Sequence, residues 1–570
     1  MLADPYRFRP HPNYGVGIGG IALHVFDCGI PSTVSILNRI SLSLRTLGGE
    51  CSARDYCMSE RLESARLDET PAIVWLGFMA MCVGMFMAIL DVQVVATSLP
   101  TIQSALDIDP DQMSWIQTAY LIAEVVAIPL TGFLTRLLTM RWLFVTAISL
   151  FVAASAGCAM SGSFGELVAW RVLQGFSGGT LIPSVFSAVF ILFPNERQAL
   201  ATTIAGVLAV LAPTVGPIVG GWLTQTYSWH WLFLINILPG IASAILAARS
   251  LPRQATDPSE LRHLDGLSLL LMATTLASLE LSLKEAPASG WISAYVLSLL
   301  AVCLASGAVF IWRTLRGNRP IVDLGNFGDR NFLVGSVLSF VLGIGLFGSV
   351  YLMPVFLAFI RGHDALQIGM TMLVTGVAQL ISAPIAVALE KRMDARLLSA
   401  AGFALFAIGI GMSVFQDPRS DYDAMFWPQV VRGVAIMFCL LPPTRLALGT
   451  LPPDRIPDAS GLFNLMRNLG GAIGIALIDT IIYTRSEPLG QVLWTRLQAG
   501  DVEAATFVGA PLQTISGHSG SFDADTTALL DPLVQTAASV QAINEAWMVI
   551  AVLTGCALLS VPFARRPTST

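Results

Sequence analysis

Charge is scarce in this chain. Of its 570 residues, 12% are Asp, Glu, Lys or Arg, against about 25% in an ordinary soluble domain. The net charge of −6 is carried by loops and implies little about partners. No basic tract with interleaved aromatics occurs, so no nucleic-acid partner is expected. There are 8 cysteines. Cys82, Cys158, Cys303, Cys439 and Cys556 fall in apolar runs, and Cys28, Cys51 and Cys57 precede them without forming a CxxC, so neither a metal site nor a disulfide framework is indicated. HExxH, P-loop and GxSxG motifs are missing, which leaves no signature of an enzyme or an ATP-driven pump. The two GxGxxG matches, at Gly15 and Gly343, neither follow a strand nor open a helix. No cofactor is expected.

What fills the sequence is hydrophobic length. Apolar residues make up 54%, gathered in fourteen runs at 72–98, 113–134, 141–161, 167–193, 199–223, 229–248, 266–283, 292–313, 332–356, 367–389, 395–415, 426–449, 461–483 and 545–563. About 20 such residues cross a bilayer's hydrocarbon core, and inside lipid the backbone must satisfy its own N–H and C=O groups, so each run is expected to be a helix. Residues 1–71 hold no span, and Met58 is a plausible start that would make the first 57 residues a dispensable, disordered extension. Residues 484–544, rich in Gly, Ala, Gln and Asp, are expected to form a long outside loop.

Orientation follows from the basic residues. Seventeen, from Arg136 and Arg141 to Arg565 and Arg566, fall on the side of the amino terminus. Lys284, Arg361, Arg419, Arg485 and Arg496 fall on the other. The asymmetry places both termini in the cytoplasm and requires an even number of spans. The chain also repeats: a shift of 258 residues puts Gly175 on Gly433, Pro194 on Pro452, Arg197 on Arg455 and Gly216 on Gly474. Spans 1–6 (72–250) and 9–14 (319–570) read as copies of one six-helix unit, with spans 7 and 8 (251–318) inserted and packed outside. Repeats around a midplane site are a common plan of secondary transporters.

Ionisable residues within spans are costly, about 2.5–3.5 kcal/mol each at mid-helix on insertion scales, so each needs a partner or a watery cavity. Asp91 lies in span 1, Glu124 in span 2, Arg171 in span 4, Arg432 in span 12, and Arg467 and Asp479 in span 13. Asp91, Glu124 and Arg171 are candidates for proton coupling, the arginine as a partner that sets a carboxylate's protonation. The competing reading of Asp91 or Arg171 is a static pair that fixes helix packing. Glu280 and Lys284, one turn apart, are expected to pair with each other. In span 5, Gly216 and Gly220 form a close-packing face beside Gly221, and Pro217 favours a bend.

These segments together resemble the major facilitator superfamily, in the fourteen-helix branch of drug:proton antiporters of the EmrB/QacA type. The resemblance covers 72–566 and is carried by LDVQVVATSLP from Leu90, WRVLQGFSGG from Trp170, GPIVGG from Gly216, WHWLFLINILPG from Trp229 and RPIVDLGNF from Arg319. It implies an all-α membrane protein of fourteen transmembrane helices (6+2+6) in the bacterial cytoplasmic (inner) membrane. That protein would export lipophilic compounds in exchange for protons, by rocking of two six-helix domains. It also implies a proton role for Asp91 and Arg171, and an antiporter motif at Gly216, Pro217, Gly220 and Gly221. Gln174, Gly175, Arg432, Arg467 and Asp479 are further candidates, and a periplasmic membrane-fusion adaptor with an outer-membrane channel is an implied partner. One stretch departs: GFLTRLLTMR from Gly132 has Arg136 where the family carries an acid and Thr139 where it carries Gly, which puts the usual cytoplasmic latch in question. The alternatives are a transporter, exporter or symporter, of one metabolite or siderophore, and more distantly a membrane sensor.

Overall fold

Helix boundaries in this molecule follow hydrophobic length and are trimmed by capping side chains. The computed structural model describes residues 71–565 except 109, 257, 318–319, 516–519 and 521. The expectations for residues 1–57 and for Met58 lie outside the described residues. The long helices are α1 (Ala72–Leu106), α2 (Trp115–Ala127), α3 (Thr131–Met160), α4 (Phe164–Leu192), α5 (Asn195–Thr226), α6 (Ile237–Ser250), α7 (Gly266–Ser289), α8 (Ala294–Arg316), α9 (Arg330–Val355), α10 (Ala365–Glu390), α11 (Ala395–Gly411), α12 (Tyr422–Leu448), α13 (Ile456–Gln498) and α14 (Ala524–Cys556). No strand occurs among the described residues. Thirteen helical stretches are long and apolar enough to span a membrane, and one of them, Trp115–Met160, has 46 residues, enough for two crossings. It is interrupted at Thr139, where φ is 69° and ψ 158°, so fourteen spans result among the described residues. The protein is an integral, multi-pass membrane protein.

Ser163, Asp265, Ser293, Asp329, Asp364, Asp394 and Asp421 each accept a hydrogen bond from a backbone N–H in the first turn of the helix that follows. Each such cap contributes about 1 kcal/mol. Asp265 also ties α7 to the end of α8: hydrogen bonds from Ser268 and from Arg313, the latter at 2.7 Å, hold its carboxyl down at about 2. α5 runs unbroken through Pro213 and Pro217.

α1 to α6 pack on one another, with α4 held against α2 and α3, and α1 against α5 and α6. In the same way α13 packs on α9 and α14, and α12 on α10 and α11. Phe78, Phe144, Phe151 and Phe186 fill the core of the first group, and Phe356, Phe403, Phe406 and Trp547 that of the second. The two groups meet where α5 lies along α10 and where α13 reaches α3 and α4. Of the inserted pair, α8 leans on α7 and stays peripheral. α7 does not: it packs against both α2 and α13 and so closes one side of the junction between the groups.

The connection 484–544 is largely helical rather than an irregular loop. α13 continues to Gln498, short helices follow at Val502–Val508 and Leu512–Ile515, and α14 begins at Ala524. Leu493, Leu497, Ala504, Val508, Leu530 and Val534 form a hydrophobic core of their own. At about 1.5 Å per residue α13 is about 65 Å long, roughly twice a bilayer's hydrocarbon thickness.

Candidate functional site

Close backbone contact between α2 and α4 builds the first part of the site. A Cβ on Gly175 would collide with the backbone carbonyl of Tyr120, so only glycine lets α4 come this near. Arg171, one turn earlier, then sends its Nε–H to the carbonyl oxygen of Ile116 at 3.1 Å and lies over the Tyr120 ring, 4.3 Å from its centre. The same guanidinium donates to Asp91 Oδ2 of α1 at 2.5 Å and to Gln174 Oε1 at 2.8 Å. Gln174 Nε2 donates to Asp91 Oδ1 at 2.8 Å and to Ser155 Oγ at 2.9 Å. Asn236, at the start of α6, donates to Asp91 Oδ1 at 2.8 Å. Asp91 is 1% exposed and Arg171 0%. The expected Asp91–Arg171 pair is therefore present, inside a polar knot that joins α1, α3, α4 and α6. Two of its members, Ser155 and Asn236, escaped the sequence reading. Asn236, a lone amide in the apolar run WHWLFLINILPG, was the available signal.

Glu124 is placed differently. A cavity of about 140 Å³ lies between the two helix groups, walled by Val92, Leu121, Leu346, Phe347 and Val350, and Glu124 and Glu280 both line it. Glu124 is 9% exposed, and its carboxylate makes no ion pair or hydrogen bond among the described residues. The Oε2 of Glu280 is enclosed and without a hydrogen-bond partner. The expected Glu280–Lys284 pair does not form. Lys284 Nζ instead lies 3.3 Å from Glu285 Oε1 and 4.9 Å from the centre of the Trp115 ring, an outer arrangement that leaves Glu280 to the interior. Glu280 also lines a second cavity of about 160 Å³ that leads to Lys284 and Asp479. Asp479 accepts a 2.7 Å hydrogen bond from the Tyr351 hydroxyl.

On α5, Gly216, Pro217, Gly220 and Gly221 are all buried. A Cβ on Gly216 would strike the side chain of Gln93 on α1, and Gln93 itself borders the central cavity. In the second group Gly433 sits against the carbonyl of Thr375 on α10 as Gly175 sits against that of Tyr120. The polar residues that precede these glycines are exchanged. Arg171 and Gln174 become Gln429 and Arg432, and no carboxylate is paired with Arg432 among the described residues. Arg432 bonds Ser413 Oγ at 3.5 Å and stacks 4.8 Å from the Trp547 ring centre. Arg467 bonds Asn464 on its own helix and faces the Phe186 ring at 5.2 Å.

Where α1 begins, the junction is shut. Arg136, just before the Thr139 break, closes on the carboxylate of Asp458 at the start of α13, and its Nε is 3.9 Å from Glu260. Gly132 leaves room for this: a Cβ there would run into Asp458. Ser460 Oγ donates to the carbonyl of Pro183 on α4 at 2.8 Å. The Arg136 departure from the expected pattern thus comes with an ion pair across the two groups. Thr139, the other departure, takes the positive φ that a glycine would take without strain.

Residues 81–475 match the Major Facilitator Superfamily. The colistin resistance protein EmrB of Acinetobacter baumannii is 39% identical over 409 residues, 71% of this chain and 80% of that protein. The multidrug export protein EmrB of Escherichia coli K12 is 30% identical over 413 residues, 72% of this chain and 80% of that protein. The fatty acid resistance protein FarB of Neisseria gonorrhoeae is 30% identical over 419 residues, 73% and 82%. Among solved structures, the human organic anion transporter MFSD10 aligns with a TM-score of 0.52 at 13% identity, covering 84% of this chain and 99% of that one. The proton:xylose symporter XylE aligns at 0.51 and 12%, covering 85% and 95%.

Proposed function

The chain belongs to the major facilitator superfamily, in its EmrB-type branch, and from that premise we propose that it exports lipophilic compounds from the bacterial cytoplasm in exchange for protons. The observation that carries the reading is the apolar cavity between the two helix groups, with the carboxylate of Glu124 on its wall and without a hydrogen-bond partner. A carboxylate on the wall of such a cavity is a group that substrate and proton can both reach, which is what exchange requires. The Asp91–Arg171–Gln174 knot has another part. Asp91 and Arg171 neutralise each other there, and the knot fixes α1 and α4 so that their movement past the second group is concerted. One proton moving down 100 mV supplies about 2.3 kcal/mol, enough for about a 50-fold gradient of a neutral solute.

The two groups, 72–250 and 319–570, rock about the cavity as units, with α7 at their junction and α8 carried on α7. The excess of basic residues supports a cytoplasmic Arg136–Asp458 closure and cytoplasmic termini, with the helical projection of 484–544 in the periplasm. A projection of that kind offers a seat to a membrane-fusion adaptor leading to an outer-membrane channel.

Purified protein in proteoliposomes tests the reading. An imposed pH gradient drives a lipophilic substrate against its concentration gradient, with counterflow of protons seen by an internal pH dye. Flux of substrate and proton in the same direction would make the protein a symporter and sink the proposal.

A further inference from the structure

Arg432 is a buried cation without a counter-ion. It is 2% exposed, lies within α12, and has no carboxylate within ion-pair distance among the described residues. Of its N–H donors one is engaged, by Ser413 Oγ at the long distance of 3.5 Å. Removing such a charge from water is costly, and proteins recover the cost by pairing it. The ring of Trp547 returns only a part of this. One turn earlier, Gln429 is 0% exposed. Its Oε1 accepts a hydrogen bond from the Thr375 hydroxyl at 3.1 Å, and its Nε2 has no partner among the described residues. Arg432, Gln429 and Thr375 line one side pocket of about 20 Å³. About 10–15 Å³ on this scale holds a water molecule, so the pocket has room for one or two oxygen-sized atoms at the tip of a head group and none for a bulky head. It shares Val210, Leu346 and Val350 with the central cavity, so an apolar body can lie in the larger space while its head enters the smaller.

We propose that Arg432 and Gln429 form a subsite for the carboxylate of a lipophilic acid, whose hydrocarbon part occupies the central cavity. This rests on the export reading and names the substrate class of that same site. The chemistry fits on three counts. A guanidinium receives a carboxylate through parallel N–H···O bonds, the Gln429 amide supplies a further donor, and the pocket walls are too close for a bulky head. The acids Glu124 and Glu280 line the larger cavity and not the side pocket, so they do not compete for the guanidinium. The exchanged order of Arg and Gln relative to α4 puts the cation of this half beside open space, where the other half has Asp91.

Binding is measured without any proton gradient, so it stands or falls separately from export. Full-length protein in nanodiscs is titrated with dodecanoate and with dodecanol, following the fluorescence of the protein's tryptophans, Trp547 among them. Dodecanoate is expected to bind at least 10-fold more tightly than dodecanol. Arg432→Gln should remove that preference and leave dodecanol binding unchanged, and Gln429→Leu should reduce it about 5-fold. Equal binding of the acid and the alcohol to the native protein overturns the proposal, as does an undiminished preference in Arg432→Gln. Chloride that perturbs the fluorescence while dodecanoate neither does so nor displaces it would reduce the pocket to an inorganic-anion site and overturn it too. Should Arg432→Gln fail to fold, Gln429→Leu alone decides, and an unchanged preference there counts against the subsite.

Discussion

Arg136 and Asp458, 322 residues apart in sequence, meet side chain to side chain and tie the end of the second span to the start of α13. The carboxylate is almost fully enclosed, with 6% of its side chain exposed, while the arginine keeps 32%. Losing one partner therefore leaves an acid in poor surroundings, and part of the pair's strength is spent against water.

Arg136→Gln is expected to weaken closure at this face by about 1–3 kcal/mol, a population shift of about 5- to 150-fold. Labelling of single cysteines placed beside Ser460 should become faster in the variant. The exchange Arg136→Asp with Asp458→Arg should restore slow labelling. Failure of the exchange to restore it would show that the pair does not hold the junction.

Thr139 is a β-branched residue at φ 69° and ψ 158°, a region populated almost only by glycine, and its hydroxyl has no partner. Such conformations cost about 1–3 kcal/mol. Thr139→Gly should stabilise the protein by about 1 kcal/mol after the entropy cost of glycine is taken off, seen as a rise of a few degrees in unfolding temperature in detergent. A lower unfolding temperature would contradict the strain.

Asp91→Asn and Glu124→Gln should part company. The first breaks a buried ion pair in a four-helix knot and is expected to cost about 3 kcal/mol or more, read as lower unfolding temperature and yield. The second touches no hydrogen bond and should leave stability within about 0.5 kcal/mol while removing proton-linked flux in proteoliposomes. If Glu124→Gln still drives uphill export from a pH gradient, the exchanging group is another, and Asp479 on the second cavity is next.

Gly216→Leu puts a branched side chain where Gln93 already stands. Export should fall at least 10-fold with insertion into the membrane preserved, and Gly220→Leu should behave alike. Normal export in both variants would leave these glycines without a part in the cycle.

Much of this was legible in the sequence because lipid is a strict solvent. Fourteen apolar lengths set the number of crossings, and the cost of a charge singled out Asp91 and Arg171, which do meet. What the sequence withheld was direction. Glu280 and Lys284 are spaced for a local pair, yet tertiary packing gives Lys284 an aromatic neighbour and turns Glu280 inward. The helical character of 484–544 was hidden by a loop-like composition. Its sign was there in the apolar spacing of Leu530, Val534, Ala537 and Ala538, the period of one helix face.

α13 continues as one helix from Ile456 to Gln498, through Pro488, so a movement of its inner part is passed on to its outer part. The stretch from 484 to 498 adds about 22 Å of stiff rod to about 15 Å of half-membrane. A tilt of about 10° at the midplane then swings the tip sideways by about 6 Å. If the two groups rock as proposed, the projection would work as a pointer that writes each swing of the bundle outside the membrane at enlarged scale, and a hand laid on the pointer would press back on the cycle.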